Sequence, residues 1–274
     1  MAKTIAVTGA NSGVGKAVAE QLAKSGERVL MISRDETRGR EALQEIQSRN
    51  GNASLELFLG DLSSLQSIRS LAAQITAKHP RLDALVSCAA VFVTDRRTTQ
   101  DGFEMMFGTN HLGTFALTLL LGDALRAAAP ARVLTLAAPS GSKLNFDDLQ
   151  GEKKFSGLGA FGASKACNLL FAFRLARVWK DRGVTSVAVH PGIVRSGIMR
   201  NAALPIRILT RLFSKSPEQS AASIARLATA PEHQALTGEL VTYGKVISAA
   251  PYTRDPEVQD RLWAISEQLT GIKG

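Results

Sequence analysis

Tyrosine is almost missing from this sequence. Two occur in 274 residues, Tyr243 and Tyr252, both near the C-terminal end, and all aromatics together make up 5%. Chemistry that needs a phenol must find it late in the chain or do without. Cysteine is as scarce, with Cys88 and Cys167 both in apolar surroundings. Two such residues build no disulfide scaffold and read as reduced, buried thiols of a cytoplasmic protein. Four histidines, His79, His111, His190 and His233, are scattered without cysteine partners at ligand spacing, so no metal site is expected. No apolar run reaches the ~18 residues of a spanning helix. The longest candidate, residues 112–129, is broken by Gly122, Asp123 and Arg126 and reads as a buried helix. The N-terminal stretch MAKTIAVTGA has no signal-peptide layout. Acids are outnumbered, 24 to 33, for a formal charge of +9. The bases are mostly dispersed and not interleaved with aromatics, which argues against a nucleic-acid partner. An anionic cofactor accounts for part of the excess.

What is present is regular. Apolar residues make up 45%, enough for one large domain spanning residues 1–274. Strand patterns and helix patterns alternate from the start. KTIAVTG, ERVLMIS, SLELFLGDL, LDALVSCAA, ARVLTLAA, TSVAVHPG and TGELVTY give about seven near-continuous apolar strands. Helices are expected over 64–78, 108–129, 158–182 and 217–229, besides two earlier ones closed by Gly26 and Gly51. Apolar strands separated by helices imply an α/β fold, a doubly wound parallel sheet covered on both faces. Segment 195–215 breaks the alternation. It carries Arg195, Arg200, Arg207, Arg211 and Lys215, no acid, and many apolar residues. It ends at SPEQ, where Ser216 is placed to cap a helix with Pro217 first and Gln219 third.

The stretch TGANSGVG lies between the first strand and the first helix. Gly9 allows a tight turn off the strand, Gly13 lets backbone approach a pyrophosphate, and Gly15 allows close helix–strand packing. Gly9, Asn11, Ser12, Gly13, Val14 and Gly15 therefore form a candidate phosphate cradle at a helix N-terminus. After the second strand, where an NAD site places a carboxylate for the ribose 2′-hydroxyl, the chain has Ser33 and Arg34. An arginine there suits a 2′-phosphate, so NADP is expected rather than NAD. Asp35 follows one step late. Asp61 and Leu62, after the third strand, are placed to meet an adenine edge.

These features, with TQDGFEMMFGTNHLGTFALT at 99–118, ASK at 163–165, HPGIVRSGI at 190–198, KSPEQSA at 215–221 and RLWAISEQLTG at 261–271, resemble the short-chain dehydrogenase/reductase superfamily. The resemblance is strongest to the branch of retinol dehydrogenases and protochlorophyllide reductases, and it covers essentially the whole chain. It implies a Rossmann-like fold and hydride transfer between a nicotinamide and a carbonyl or alcohol. By the same resemblance, Lys165 binds the nicotinamide ribose and Asn110 holds a water in a proton relay. Ala89 and Ala90 lie along the cofactor. Pro191, Gly192 and Ile193 form the turn beside the nicotinamide, with Ser196 at its amide. Segment 195–215 matches the substrate lid. Its basic, apolar face suits covering a hydrophobic small molecule better than touching a membrane, and a homo-oligomer remains open.

The pattern breaks at three places. The family tyrosine is Phe161, its serine is Ala138, and its NNAG reads Ser87-Cys88-Ala89-Ala90. Phenylalanine has no proton to give. A general acid contributes ~10²–10⁴ in rate and an oxyanion donor ~10²–10³. Ser140, two residues beyond the family position, is the nearest candidate for a replacement acid. Three readings follow. Hydride transfer survives on a substrate needing less proton help, or the scaffold binds cofactor for a redox-neutral or non-catalytic role, or the sequence is an oxygen-deleted form of a working enzyme. The rewritten Ser-Cys-Ala-Ala stretch counts against the last. Losing both hydroxyls together leaves neither unpaired in a dry pocket, a coherent apolar remodelling.

Overall fold

The computed structural model describes residues 2–51, 54–139, 143–192, 194 and 216–274. Ser140, Ile193, Ser196 and the expected lid at 195–215 lie outside the described residues.

Eight strands form one sheet: β1 (Thr4–Thr8), β2 (Arg28–Ser33), β3 (Leu55–Leu59), β4 (Ala84–Ser87), β5 (Ala131–Leu136), β6 (Val184–Val189), β7 (Leu240–Thr242) and β8 (Lys245–Ile247). Their order is β3-β2-β1-β4-β5-β6-β7-β8. All neighbours run parallel except β7 and β8, which pair antiparallel. The sequence implies about seven strands. The eighth is a three-residue edge strand returning through a two-residue turn, too short to show an apolar period.

Helices α1 (Gly13–Lys24), α2 (Glu36–Asn50) and α7 (Pro217–Thr229) cover one face, and α3 (Leu65–Lys78), α4 (Gly113–Leu120), α5 (Gly122–Ala127), α6 (Gly157–Val178) and α8 (Pro256–Thr270) the other. Period-two alternation divides the core. Ile5 and Val7 of β1 pack with Val18, Leu22, Ile46 and Ile224, while Ala6 between them packs with Ile68, Leu71, Phe115 and Phe171. Each face is dry, so every strand residue meets apolar neighbours, and the strands read as continuous apolar runs. Winding reverses between β1 and β4. The crevice beyond the strand ends at such a reversal is where open sheets of this kind bind ligands.

Local departures from the sequence expectation have physical causes. The helix expected over 108–129 is three pieces. A π-helical turn, Phe107–Leu112, comes first, then α4, then a break at Leu121 (φ −88°, ψ 1°) before α5. The buried Glu104 starts the π turn, its carboxylate accepting from the Met106 and Phe107 N–H groups. Ser216 does not cap α7 with its side chain, contrary to the capping motif, although Pro217 does open the helix. Instead the Ser216 hydroxyl bonds to Glu218 and helps hold that carboxyl below its ordinary pKa, after the Glu218 backbone N–H. Asp35 caps α2, accepting from the Arg38 N–H at 3.0 Å. Among the described residues no helix is long and apolar enough to cross a membrane, no cluster could hold a metal ion, and Cys88 and Cys167 are free thiols.

Candidate active site

The glycine turn occupies the end of β1. Gly9 has φ +66° and Gly13 φ +55°, left-handed values that favour glycine. A Cβ on Gly15 would lie 2.4 Å from the Gly9 carbonyl oxygen. Helix α1 therefore starts against the strand end with no room for a side chain. Ser12 sits at its N-cap but makes no side-chain cap bond. The first-turn N–H groups beside Val14 thus keep their donors for an incoming anion, at the positive end of the helix dipole. Asn11 is half-buried and Ser12 exposed at the rim. The Ala89 N–H donates to Thr8 Oγ1 at 3.0 Å, tying the Ala89-Ala90 loop after β4 onto the same turn. These features fit a dinucleotide pyrophosphate.

Around the turn lie the other expected cofactor contacts. Arg34 is exposed, and among the described residues no acid pairs with its guanidinium. Asp35 uses one carboxylate oxygen to cap α2. One Asp61 carboxylate oxygen accepts from the backbone N–H and hydroxyl of Ser63. Leu62 is buried in the core, leaving only its backbone for an adenine edge.

Helix α6 brings the reaction end together. Ser156 caps it, and a turn later Phe161, Ser164, Lys165 and Asn168 point one way because three- and four-residue steps share a helix face. Lys165 Nζ and Asn168 Nδ2 both donate to the Leu136 carbonyl at the end of β5, at 3.5 and 3.1 Å. Phe161 lies one turn earlier on the same face, and Ala138, two residues after Leu136, is half-buried. Its ring packs edge-on against Phe92, 5.7 Å between centroids, and Lys165 Nζ lies 5.5 Å from its ring centre. The Phe161 ring thus presents an aromatic surface to an ammonium group, a favourable cation–π arrangement. Burial lowers the Lys165 pKa to about 8, with the neighbouring Cys88 thiol pulling the other way. Burial pushes the Cys88 thiol up to about 12, against the Lys165 charge. The thiol is therefore protonated and inert at neutral pH.

Asn110 lies in the π turn with its amide fully engaged. Oδ1 accepts from the Val91 N–H at 2.7 Å, while Nδ2 donates to the Val91 carbonyl and to Ser164 Oγ, both at 3.0 Å. Ser164 in turn donates to the Phe161 carbonyl. Through these bonds the Asn110 side chain laces the loop after β4 to the start of α6. His111, next door, faces the other way. Its Nε2 meets Ser266 Oγ at 2.8 Å, and that hydroxyl donates to the Leu262 carbonyl. The imidazole therefore carries its proton on Nε2 and stays neutral. Burial lowers its pKa to about 3, with Asn168 opposing. The unfolded chain takes up that proton near pH 6.5 and the folded chain does not, so folding loses stability as pH falls from 6.5 toward 3. Urea denaturation at stepped pH is expected to show this loss, and replacing His111 with glutamine to flatten it.

At the far edge, Pro191 and Gly192 follow β6. The Pro191 carbonyl accepts from the Ser220 and Tyr243 hydroxyls at 2.5 and 3.1 Å. Sequence reading missed Tyr243 here and the Asn110–Ser164 link. Both join residues more than fifty apart in the chain, and no motif spacing carries them.

Comparison with known proteins matches this geometry. A sequence model of the short chain dehydrogenase family matches residues 3–205. Retinol dehydrogenase 12 of Mus musculus is 40% identical over 276 residues, covering 99% of this chain and 87% of the relative. Retinol dehydrogenase 14 of Homo sapiens is 34% identical over 291 residues, covering 98% and 87%. A solved Mycobacterium paratuberculosis protein of uncharacterised function superposes with a TM-score of 0.78 at 28% identity, over 99% of this chain and 94% of that one. A Beutenbergia cavernae protein described as an NAD(P)-dependent gluconate 5-dehydrogenase, solved with NADP, gives 0.72 at 25%, over 88% and 94%. The family model spans most of the chain and the retinol dehydrogenases align with nearly all of it, so the protein belongs to the short-chain dehydrogenase/reductase family, in its retinol dehydrogenase-like branch.

Proposed function

We propose that the protein binds NADP(H) and acts as an oxidoreductase on a hydrophobic small molecule, by a route that does not use a tyrosine proton donor. The carrying observation is the Phe161 ring, set between Phe92 and the Lys165 ammonium where the family has its phenol. A bound nicotinamide supplies or accepts the hydride. Arg34 holds the 2′-phosphate, which favours NADP over NAD. The α1 N-terminus holds the pyrophosphate, and Lys165 holds the nicotinamide ribose. Phe92, Phe161, Val91 and Val93 present an apolar wall to the substrate. With its pKa near 8, Lys165 carries a proton at neutral pH and is the remaining acid on this helix face. Such a site suits substrates that need little proton help, namely a conjugated alkene, an iminium ion, or a molecule supplying its own proton. Two free thiols fit a cytoplasmic setting.

The test is NADPH consumption by purified protein with a panel of hydrophobic enones, imines and ketones. Oxidation with enones or imines, slowing as pH rises through about 8, is expected, as is at least ~10-fold tighter binding of NADPH than NADH. The second reading, a redox-neutral or non-catalytic role, is favoured by the loss of both hydroxyls at Ala138 and Phe161. It requires NADPH to bind, seen by fluorescence, and never to be consumed. Absence of NADPH binding sinks both.

A further inference from the structure

The turn between β7 and β8 holds a residue that its geometry disfavours. Thr242 pairs with Lys245, so the loop is Tyr243-Gly244 alone, with φ +47° and +78°. A two-residue hairpin loop with both φ positive calls for Asn-Gly or Gly-Gly. Tyr243 is the only non-glycine with positive φ among the described residues. A side chain with a Cβ costs energy there, and such strain persists where surrounding contacts hold it.

Those contacts are specific. The Tyr243 hydroxyl donates to the Pro191 carbonyl at 3.1 Å, and Ser220 of α7 donates to the same oxygen. Gly192 has φ +78°, and a Cβ there would lie 2.3 Å from Tyr243 Oη. The phenol therefore sits in the notch that glycine leaves, and one carbonyl is fixed from both the hairpin and α7. We propose that Tyr243 is a positioning residue that clamps the Pro191–Gly192 turn and so fixes the nicotinamide end of the bound cofactor. This rests on the cofactor placement proposed above. Tyr243 takes no part in proton transfer. It acts through the turn.

The clamp touches only one end of a dinucleotide that is held at two. Tyr243→Phe removes the hydroxyl and keeps the ring. Tyr243→Asn also removes the ring but suits the positive φ. Each variant and the wild-type chain would be titrated with NADPH and with adenosine 2′,5′-bisphosphate, the adenine half alone, and melted without ligand. Both variants are expected to weaken NADPH about five-fold, the loss of one hydrogen bond, with bisphosphate affinity unchanged. The Asn variant is expected to melt no lower than wild type. Equal weakening of both ligands, or none of either, overturns the clamp. Wild-type protein that binds bisphosphate but not NADPH more tightly overturns the nicotinamide placement itself, which the Tyr243 variants do not probe. That result overturns the clamp with it.

Discussion

Ketone reduction with NADPH is expected to rise by ~10²–10⁴ when Ala138→Ser and Phe161→Tyr are introduced together. Helix α6 is already registered for it. Lys165 Nζ reaches the Leu136 carbonyl, so a phenol at 161, one turn earlier, projects toward the residues just after β5, where position 138 lies. A tyrosine at 161 would stand beside the Lys165 ammonium, which favours the ionised phenol and lowers its pKa. A serine at 138 would supply the second hydroxyl. The two act on one oxygen, so the single variants are expected to give far less than their share of the double. The measurement is initial rate against a ketone panel, with NADPH affinity followed in parallel. A double variant that binds NADPH as before yet gains no rate would mean that positions 138 and 161 do not flank the reacting carbon.

The second large effect is expected at Gly15. Its Cβ in Gly15→Ala would lie 2.4 Å from the Gly9 oxygen and 2.8 Å from the Gly9 carbonyl carbon, both backbone atoms that no rotamer change can move. Relief through Gly9 is blocked from behind, because Gly9 itself abuts Ala89, with a built Cβ 3.0 Å from the Ala89 Cα. Either α1 lifts away from the strand end or the turn opens. Overpacking of this kind costs ~1–3 kcal/mol, about 2–6 °C in melting temperature for a chain of this size. The same shift spoils the aim of the α1 N–H groups, so NADPH affinity is expected to fall by at least ~10-fold. Melting curves and a fluorescence titration check both. A Gly15→Ala protein that melts and binds NADPH normally would show that the turn is not the phosphate cradle.

The alternation of strands and helices, the glycines at 9, 13 and 15, and the helix carrying Phe161 and Lys165 were legible along the chain. Each is a local pattern: an apolar run bounded by turn residues, three glycines between a strand and a helix, four residues separating 161 from 165. What the Asn110 side chain bonds to was not legible. Its place in the motif is one-dimensional, but its amide bonds reach Val91 and Ser164, nineteen and fifty-four residues away. Asp35 is similar. Its sequence position names no partner, and only the start of α2 shows that one carboxylate oxygen caps the helix.

By itself, then, the sequence determined which backbone can lie where. Alternation and glycine positions act through sterics and burial within a few residues. Tertiary structure decided which side chains share a site. Asn110 meets Ser164, and Tyr243, one of two tyrosines and absent from the reaction helix, arrives at Gly192 from a hairpin fifty residues on. Such meetings depend on how strands order in the sheet, and that order is set by the packing of both faces at once.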